Sequence, residues 1–208
     1  MLITDIPNNQ KSWKQLEKLY TDAFKEEERE TVHKLQHLVK TGRYCIKVAL
    51  IEENIAGFCI VDHNHELHYS LLTFLTVAKQ YRAKHIASKL IAAVQNRADQ
   101  NTATDFLFVE AENKVQELYT KTNFFVLPFR YNTPLYNSKT KTTKSNLLLY
   151  NKSRKPTLKQ LEAILKDIFT FGYEVNKEDP RLTKQLKALK YIEKATTQSC
   201  NNICELNK

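Results

Sequence analysis

The residues Leu75-Thr76-Val77 form an apolar, β-branched stretch that runs directly into Ala78-Lys79-Gln80-Tyr81-Arg82-Ala83-Lys84-His85-Ile86-Ala87-Ser88-Lys89-Leu90. A strand that enters a helix in this way leaves the first backbone N–H groups of the helix unpaired. It also sets the positive end of the helix at the same point, so the junction is built to receive an anion. Arg82, Lys84 and Lys89 add positive charge around it. The plain alternative for such a junction is a solvated basic turn.

Other groups with chemical potential read differently. His63, His65 and His68 lie close together, but Asp62-His63-Asn64-His65 has the composition of a polar turn, with His68 on the strand that follows. No metal site is expected there or elsewhere. The chain has four cysteines. Cys45 and Cys59 sit in apolar, strand-like runs where a thiol packs as a small hydrophobe, and Cys200 and Cys204 lack the histidine framing of a zinc site. That usage fits a reducing, cytoplasmic setting. Nothing at the N-terminus has the pattern of a signal peptide, and there is no apolar run long enough to span a membrane.

The formal charge of +9 points to anionic partners. Its distribution is more telling. Between Leu118 and Leu161 there is no Asp or Glu, while Arg130, Lys139, Lys141, Lys144, Lys152, Arg154, Lys155 and Lys159 accumulate, interleaved with Tyr131, Tyr136 and Tyr150. That stretch could steer an anionic ligand, bind nucleic acid, or be an exposed loop. Near the front, Glu26, Glu27, Glu28 and Glu30 form an acidic knot, which a solvated surface would explain as well as a cationic ligand would.

The elements that must carry these residues follow from periodicity. A short strand over Leu2–Ile6 precedes a helix with Ser12 as N-cap, Gln15 completing a capping box, and Trp13, Leu16, Tyr20, Ala23 and Phe24 on one face. A second helix carries Val32, Leu35, Leu38 and Val39 and stops at Gly42. Tyr44–Ile51 and Ile55–Val61 read as a hairpin turning at Glu52-Glu53-Asn54, and a long strand alternates from Leu67 to Val77. A helix with Ile86, Leu90, Ile91 and Val94 inward leads to a buried strand at Phe106–Val109. A short helix over Val115–Thr122 and strands at Phe124–Leu127 and Leu147–Tyr150 follow. Hairpins preceding a strand–helix–strand crossover imply an α/β fold with a mixed, mostly antiparallel central sheet of about seven strands flanked by helices. The predicted organisation is one domain over residues 1–155 and a C-terminal helical extension over 156–208. The extension is read as a helical pair over 156–196, the first capped by Thr157 and Gln160 and the second opened by Asp179-Pro180, with a frayed tail.

Two segments together resemble the GCN5-related N-acetyltransferase family. The acyl-CoA motif of that family, Gln/Arg-x-x-Gly-x-Gly/Ala after a strand ending in Val, aligns with Arg82, Ala83, Lys84, His85, Ile86 and Ala87. Arg82 and Ala87 match. His85 stands where glycine is expected, and Ala83 where glycine is frequent. Leu118-Tyr119-Thr120-Lys121-Thr122-Asn123-Phe124 is similar to the second motif, Leu-Tyr-x-x-x-Gly-Phe, with asparagine in place of glycine. Asparagine is the next best residue for a left-handed helix cap.

The resemblance implies a transfer of an acetyl group from acetyl-CoA to a primary amine of a small molecule or protein, by direct attack and without a metal. Leu75 and Val77 would meet the coenzyme along the strand, the Val77 N–H holding the thioester carbonyl. The backbone from Arg82 through Ala83, Lys84, His85 and Ile86 to Ala87 would hold the pyrophosphate, and Tyr119 would protonate the departing thiolate. For the base, the strand through Thr73 offers Glu66, His68, Ser70 and Thr73, and the next strand offers Glu110 with Glu112 just beyond. Glu110 is preferred. The missing glycines at 83 and 85 leave open a catalytically inactive acyl-CoA-binding relative. The basic stretch from 130 to 159 leaves open a nucleic-acid-binding protein, the less favoured partner class.

Overall fold

The computed structural model describes residues 1–136 and 138–190. β1 (Leu2–Asp5) leads into α1 (Gln10–Ala23) and α2 (Val32–Lys40). Then come β2 (Tyr44–Ile51), β3 (Asn54–Asn64) and β4 (Tyr69–Val77), followed by α3 (Ile86–Gln100), β5 (Phe106–Ala111), α4 (Asn113–Thr120) and β6 (Phe124–Val126). β7 (Tyr131–Pro134) and β8 (Thr142–Tyr150) complete one sheet, and α5 (Leu158–Asp167) precedes α6, helical over 180–190. The eight strands run in the order β1-β2-β3-β4-β5-β8-β6, with β7 on the first part of β8. Among the described residues only β4 and β5 pair in parallel, and α3 is their crossover. The sheet is mixed and mostly antiparallel, as expected. Among the described residues it has eight strands rather than about seven, because β7 lies inside the basic stretch read as a loop.

Three cores explain why these segments form these elements. On one face of the sheet, Ile86, Leu90, Ile91 and Val94 of α3 and Tyr119 of α4 meet Cys59, Val61, Leu72, Leu107 and Val109. On the other face, Leu16 and Tyr20 of α1 and Leu35 and Leu38 of α2 pack on Phe58, Ile60 and Phe74. Beside them Leu161, Ile164, Leu165, Ile168 and Phe169, with Leu182 and Leu189 of α6, cover Tyr69, Leu71, Phe106 and Phe108. Residues 55–62 of β3 are buried without alternation because both faces of that strand are covered.

Several local expectations hold. Gly42 takes φ +77° after α2, Asn123 takes φ +65° after α4, and Thr157 and Gln160 form the capping box of α5. Others are corrected. Asn9 caps α1, accepting from the Ser12 N–H at 2.8 Å, so Ser12 lies in the first turn. Asp62, His63 and Asn64 belong to β3, and His68 sits in the turn at φ +52°. Glu30 is not solvated surface: it is buried, accepts from the Tyr44 hydroxyl at 3.1 Å and pairs with Lys34 at 3.3 Å. Residues 191–208, including the predicted end of the last helix, the frayed tail, Cys200 and Cys204, lie outside the described residues.

The C-terminal segment is tied to the sheet by a polar knot. Arg43 bonds Asp62 through Nε and reaches Asp167 Oδ2 at 2.7 Å, and that same oxygen accepts from Tyr69 at 2.7 Å and Asn64 at 2.8 Å. Burial lifts the Asp62 carboxyl to about 6 despite Arg43. Burial opposes ionisation of Asp167 as well, but its hydrogen bonds from Tyr69, Arg43 and Asn64 win and hold it below the usual carboxylate range. Among the described residues no helix is long and apolar enough to cross a membrane.

Candidate functional site

β4 and β5 part company halfway along. Their pairing runs from Tyr69–Phe106 to Leu72–Val109 and stops there, while β4 continues to Val77 and β5 to Ala111. A bulge in β4 accompanies the divergence: Ile60 faces Phe74 and Val61 faces Leu72, leaving Thr73 as the extra residue, its hydroxyl on Ile60 O at 3.0 Å. The gap opens into a cleft of about 870 Å³. Residues 73–77, Arg82, Ala87, Glu110 and Tyr119 line it, together with Phe24, Glu28, Tyr136 and Tyr173.

The ladder geometry shows where the β4 backbone points. Ala78 N–H bonds Ala56 O at 2.9 Å, which makes 56/78 a hydrogen-bonded pair next to the Gly57–Val77 pair. Antiparallel pairs alternate, so Val77 and, two residues back, Leu75 are in non-hydrogen-bonded pairs with β3. Their N–H and C=O groups face the other way, into the gap that β5 has vacated. The Val77 carbonyl accepts from Arg82 Nε at 3.1 Å, which agrees with that direction. Gly57 keeps β3 tight against this part of β4: a Cβ there would stand 2.8 Å from Thr76 O.

At the end of β4 the chain makes one short turn and enters α3. Arg82, Ala83, Lys84 and His85 are exposed at that corner, Ile86 is buried in the core and Ala87 is half-buried on the cleft wall. Ala83 has φ +60° and His85 φ +57°. These are the two positions where the resemblance expects glycine, and both hold the left-handed backbone glycine would supply. His85 is the N-cap of α3 yet makes no side-chain cap, so it does not cap the N–H groups of the first turn. Holding a non-glycine residue left-handed at 85 carries a strain of about 1–2 kcal/mol.

Tyr119 and Glu110 approach the gap from opposite faces of the sheet. Tyr119 is buried among the residues under α3 and α4, its ring edge-on to Phe124 at 6.0 Å. Burial, with the Cys59 thiol nearby, pushes its hydroxyl well above the ordinary tyrosine value, so it stays protonated. Glu110 alternates to the face of Phe106 and Phe108. One of its carboxylate oxygens accepts from the Tyr131 hydroxyl and the other from Tyr173 at 2.5 Å. Burial raises its carboxyl and the two hydroxyls partly offset that. A carboxylate so placed is a stronger base than an exposed one and remains a hydrogen-bond acceptor.

Of the other base candidates, Thr73 lines the cleft. Ser70 is instead bonded to His63 Nδ1 at 2.8 Å, and His68 sits in the turn before β4. The sequence reading missed Tyr131 and Tyr173 as partners of Glu110, and Phe24, Glu28 and Tyr136 as cleft walls. Tyr131 and Tyr136 carried a signal, as aromatics in a basic stretch, but it pointed to stacking on nucleic acid. Tyr131 and Tyr150 are buried in the protein instead.

Comparison with known proteins gives the class to which this splayed strand pair beside a helix N-terminus belongs. The model of the acetyltransferase (GNAT) family matches residues 13–124, more than half of the 208-residue chain. The chain belongs to that family. No curated protein matches it in sequence. A GNAT-family protein from Bacteroides thetaiotaomicron superposes with a TM-score of 0.68 at 14% identity, covering 85% of this chain and 100% of its own. NAA60 of Arabidopsis thaliana, solved with acetyl-CoA, superposes at 0.56 and 19% identity over 72% of this chain and 98% of its own. The aminoglycoside 6'-N-acetyltransferase of Enterococcus faecium superposes at 0.59 and 12% identity over 76% and 100%. At these identities the superpositions speak for the fold.

Proposed function

We propose that this acetyltransferase moves an acetyl group from acetyl-CoA to a primary amine of a small molecule or protein by direct attack. The observation that carries the reading is the splay of β4 from β5 after Leu72 and Val109, which brings the β4 backbone, Tyr119 and Glu110 onto one cleft. In this reading the exposed corner from Arg82 to Ala87 receives the pyrophosphate on its backbone, with Lys84 and Lys89 adding charge. Leu75 and Val77 face the coenzyme arm, and the Val77 N–H stabilises the oxygen of the thioester carbonyl as negative charge develops there. The left-handed residues at 83 and 85 support a working loop over an inactive relative, because they keep the backbone shape.

Glu110 takes the proton from the amine, directly or through water. The free amine attacks the thioester carbon and the C–S bond breaks, and the second proton that the nitrogen sheds as the amide forms is relayed to the leaving thiolate through the Tyr119 hydroxyl, which ends protonated. Burial makes full ionisation of Tyr119 costly, so its main contribution is a hydrogen bond to sulfur as charge builds. Positioning and oxyanion stabilisation supply most of the acceleration. The cysteine usage fits a reducing, cytoplasmic setting for this activity.

The test is thiol release from acetyl-CoA across a panel of diamines, amino sugars, amino acids and peptides, with product mass, alongside calorimetry of acetyl-CoA and CoA. Coenzyme binding with release on at least one amine is expected. Absence of coenzyme binding at millimolar concentration would remove the proposal, and binding without release across the panel would favour an inactive acyl-CoA-binding protein.

A further inference from the structure

Both oxygens of Glu110 are held by tyrosine hydroxyls, and one of them comes from the C-terminal segment. We propose that Tyr173 is a positioning residue that fixes the Glu110 carboxylate for proton transfer, so that the C-terminal extension is part of the active site. The inference rests on the reading of Glu110 as the base.

The geometry of Tyr173 is determined from several sides. The turn Ile168–Gly172 is π-helical, a local form that recurs at functional sites, and Tyr173 N–H closes it on Ile168 O at 3.2 Å. Ile168 and Phe169 within it are fully buried. The Tyr173 ring stands 6.3 Å from Phe169 and 5.0 Å from Tyr136. Glu174, at φ +53°, is tied to Lys34 of α2 at 2.7 Å. The hydroxyl is thereby delivered to Glu110 Oε2 while Tyr131, from β7, serves Oε1.

A buried carboxylate without donors is driven to its neutral form and can no longer take a proton. Two hydroxyls that donate to the ionised form oppose this, and a carboxylate has room for about four hydrogen bonds, so each oxygen keeps a site for the substrate ammonium or a water. Among the described residues the charged and titratable neighbours are few. Tyr131, Tyr136 and Tyr173 face Glu110 from β7, the loop after it and the C-terminal segment. Glu112, two residues on, is paired with Lys114 at 3.1 Å. Glu28 from the α1–α2 connection and Arg82 from the β4–α3 turn lie on the same cleft.

Deleting the extension would strip a core, so the test removes a single hydroxyl. Tyr173→Phe is made in the full chain carrying glutamate labelled with ¹³C at the carboxyl. The Glu110 resonance is assigned by its loss in Glu110→Gln, and its titration midpoint is read without substrate. Loss of a bond to the ionised form raises the midpoint by about one pH unit. With acetyl-CoA and an amine that reacts in the panel, turnover falls at pH values between the old midpoint and the new one and recovers above the new one. Incorporating 3-fluorotyrosine at 173, a stronger donor with the same shape, moves the midpoint down and keeps the idea testable should Tyr173→Phe fold poorly. A midpoint unmoved by either change, while Glu110→Gln still abolishes turnover, overturns the inference alone. Wild-type turnover in Glu110→Gln overturns the base assignment and the inference with it.

Discussion

The two faces of the sheet at the β4–β5 gap are built on different plans. On the α3 and α4 face, the proposed coenzyme side is nearly continuous in sequence: residues 75–87 make strand, turn and helix start, and backbone groups do the work. On the opposite face the proposed acceptor side is assembled from Phe24, Glu28, Glu110, Tyr136 and Tyr173, five residues scattered over most of the chain, and side chains do the work. A backbone site needs only the correct local conformation, so His85 can replace glycine and keep φ +57°. A side-chain site needs every contributor in place, so it depends on the packing of α1, β7 and the C-terminal extension.

That contrast can be broken or sharpened experimentally. Glu110→Gln is expected to lower turnover by roughly 100-fold or more while leaving acetyl-CoA affinity within about twofold. Steady-state kinetics and calorimetry read the two separately, and a parallel loss of coenzyme affinity would merge the two faces into one site. In the wild type, activity requires ionised Glu110. Its carboxyl is raised by burial, so the acid limb of kcat/KM lies above the ordinary glutamate range, activity rising with pH.

Arg43→Ala strands the buried Asp62 and frees Asp167. A loss of about 3 kcal/mol is expected from denaturant unfolding. If the C-terminal segment loosens as a result, turnover drops before coenzyme binding does. Equal losses of both would contradict the division between the faces.

Tyr119→Phe is expected to lower turnover about tenfold, with coenzyme affinity nearly unchanged, because the hydroxyl matters only as charge reaches sulfur. An unchanged turnover number removes Tyr119 from the mechanism. The smallest effect belongs to His85→Gly. Relief of the left-handed strain, less the entropy glycine loses on folding, leaves a gain of about 0.5–1 kcal/mol, seen as a higher Tm. Coenzyme binding should tighten no more than a few-fold, and weaker binding would mean the imidazole itself touches phosphate.

Local patterns carried much of the fold. The helix faces of α1, α2, α3 and α5, the Gly42 and Asn123 caps and the β2–β3 hairpin all follow from neighbours a few residues apart. β7 did not. Tyr131–Pro134 contains a proline and sits among cations, and it is a strand because the first part of β8 is there to pair with it. Glu30 shows the same limit at a single residue. As the last of an acidic run it reads as surface, and it is buried because Tyr44 and Lys34 converge on it.

The strand–turn–helix corner at Leu75 to Ala87, the pairing of that motif with the segment around Tyr119 and the family they imply were legible from residue order alone. They depend on periodicity, on helix termini and on left-handed caps, all of which are short-range properties of a chain. The direction of the Val77 N–H, the separation of Tyr119 and Glu110 onto opposite faces and the arrival of Tyr173 at the carboxylate were decided by the tertiary structure. The first two depend on which strand leaves which partner, and the third on distant segments meeting in a shared core, Glu110 and Tyr173 being 63 apart. No local pattern encodes such a meeting.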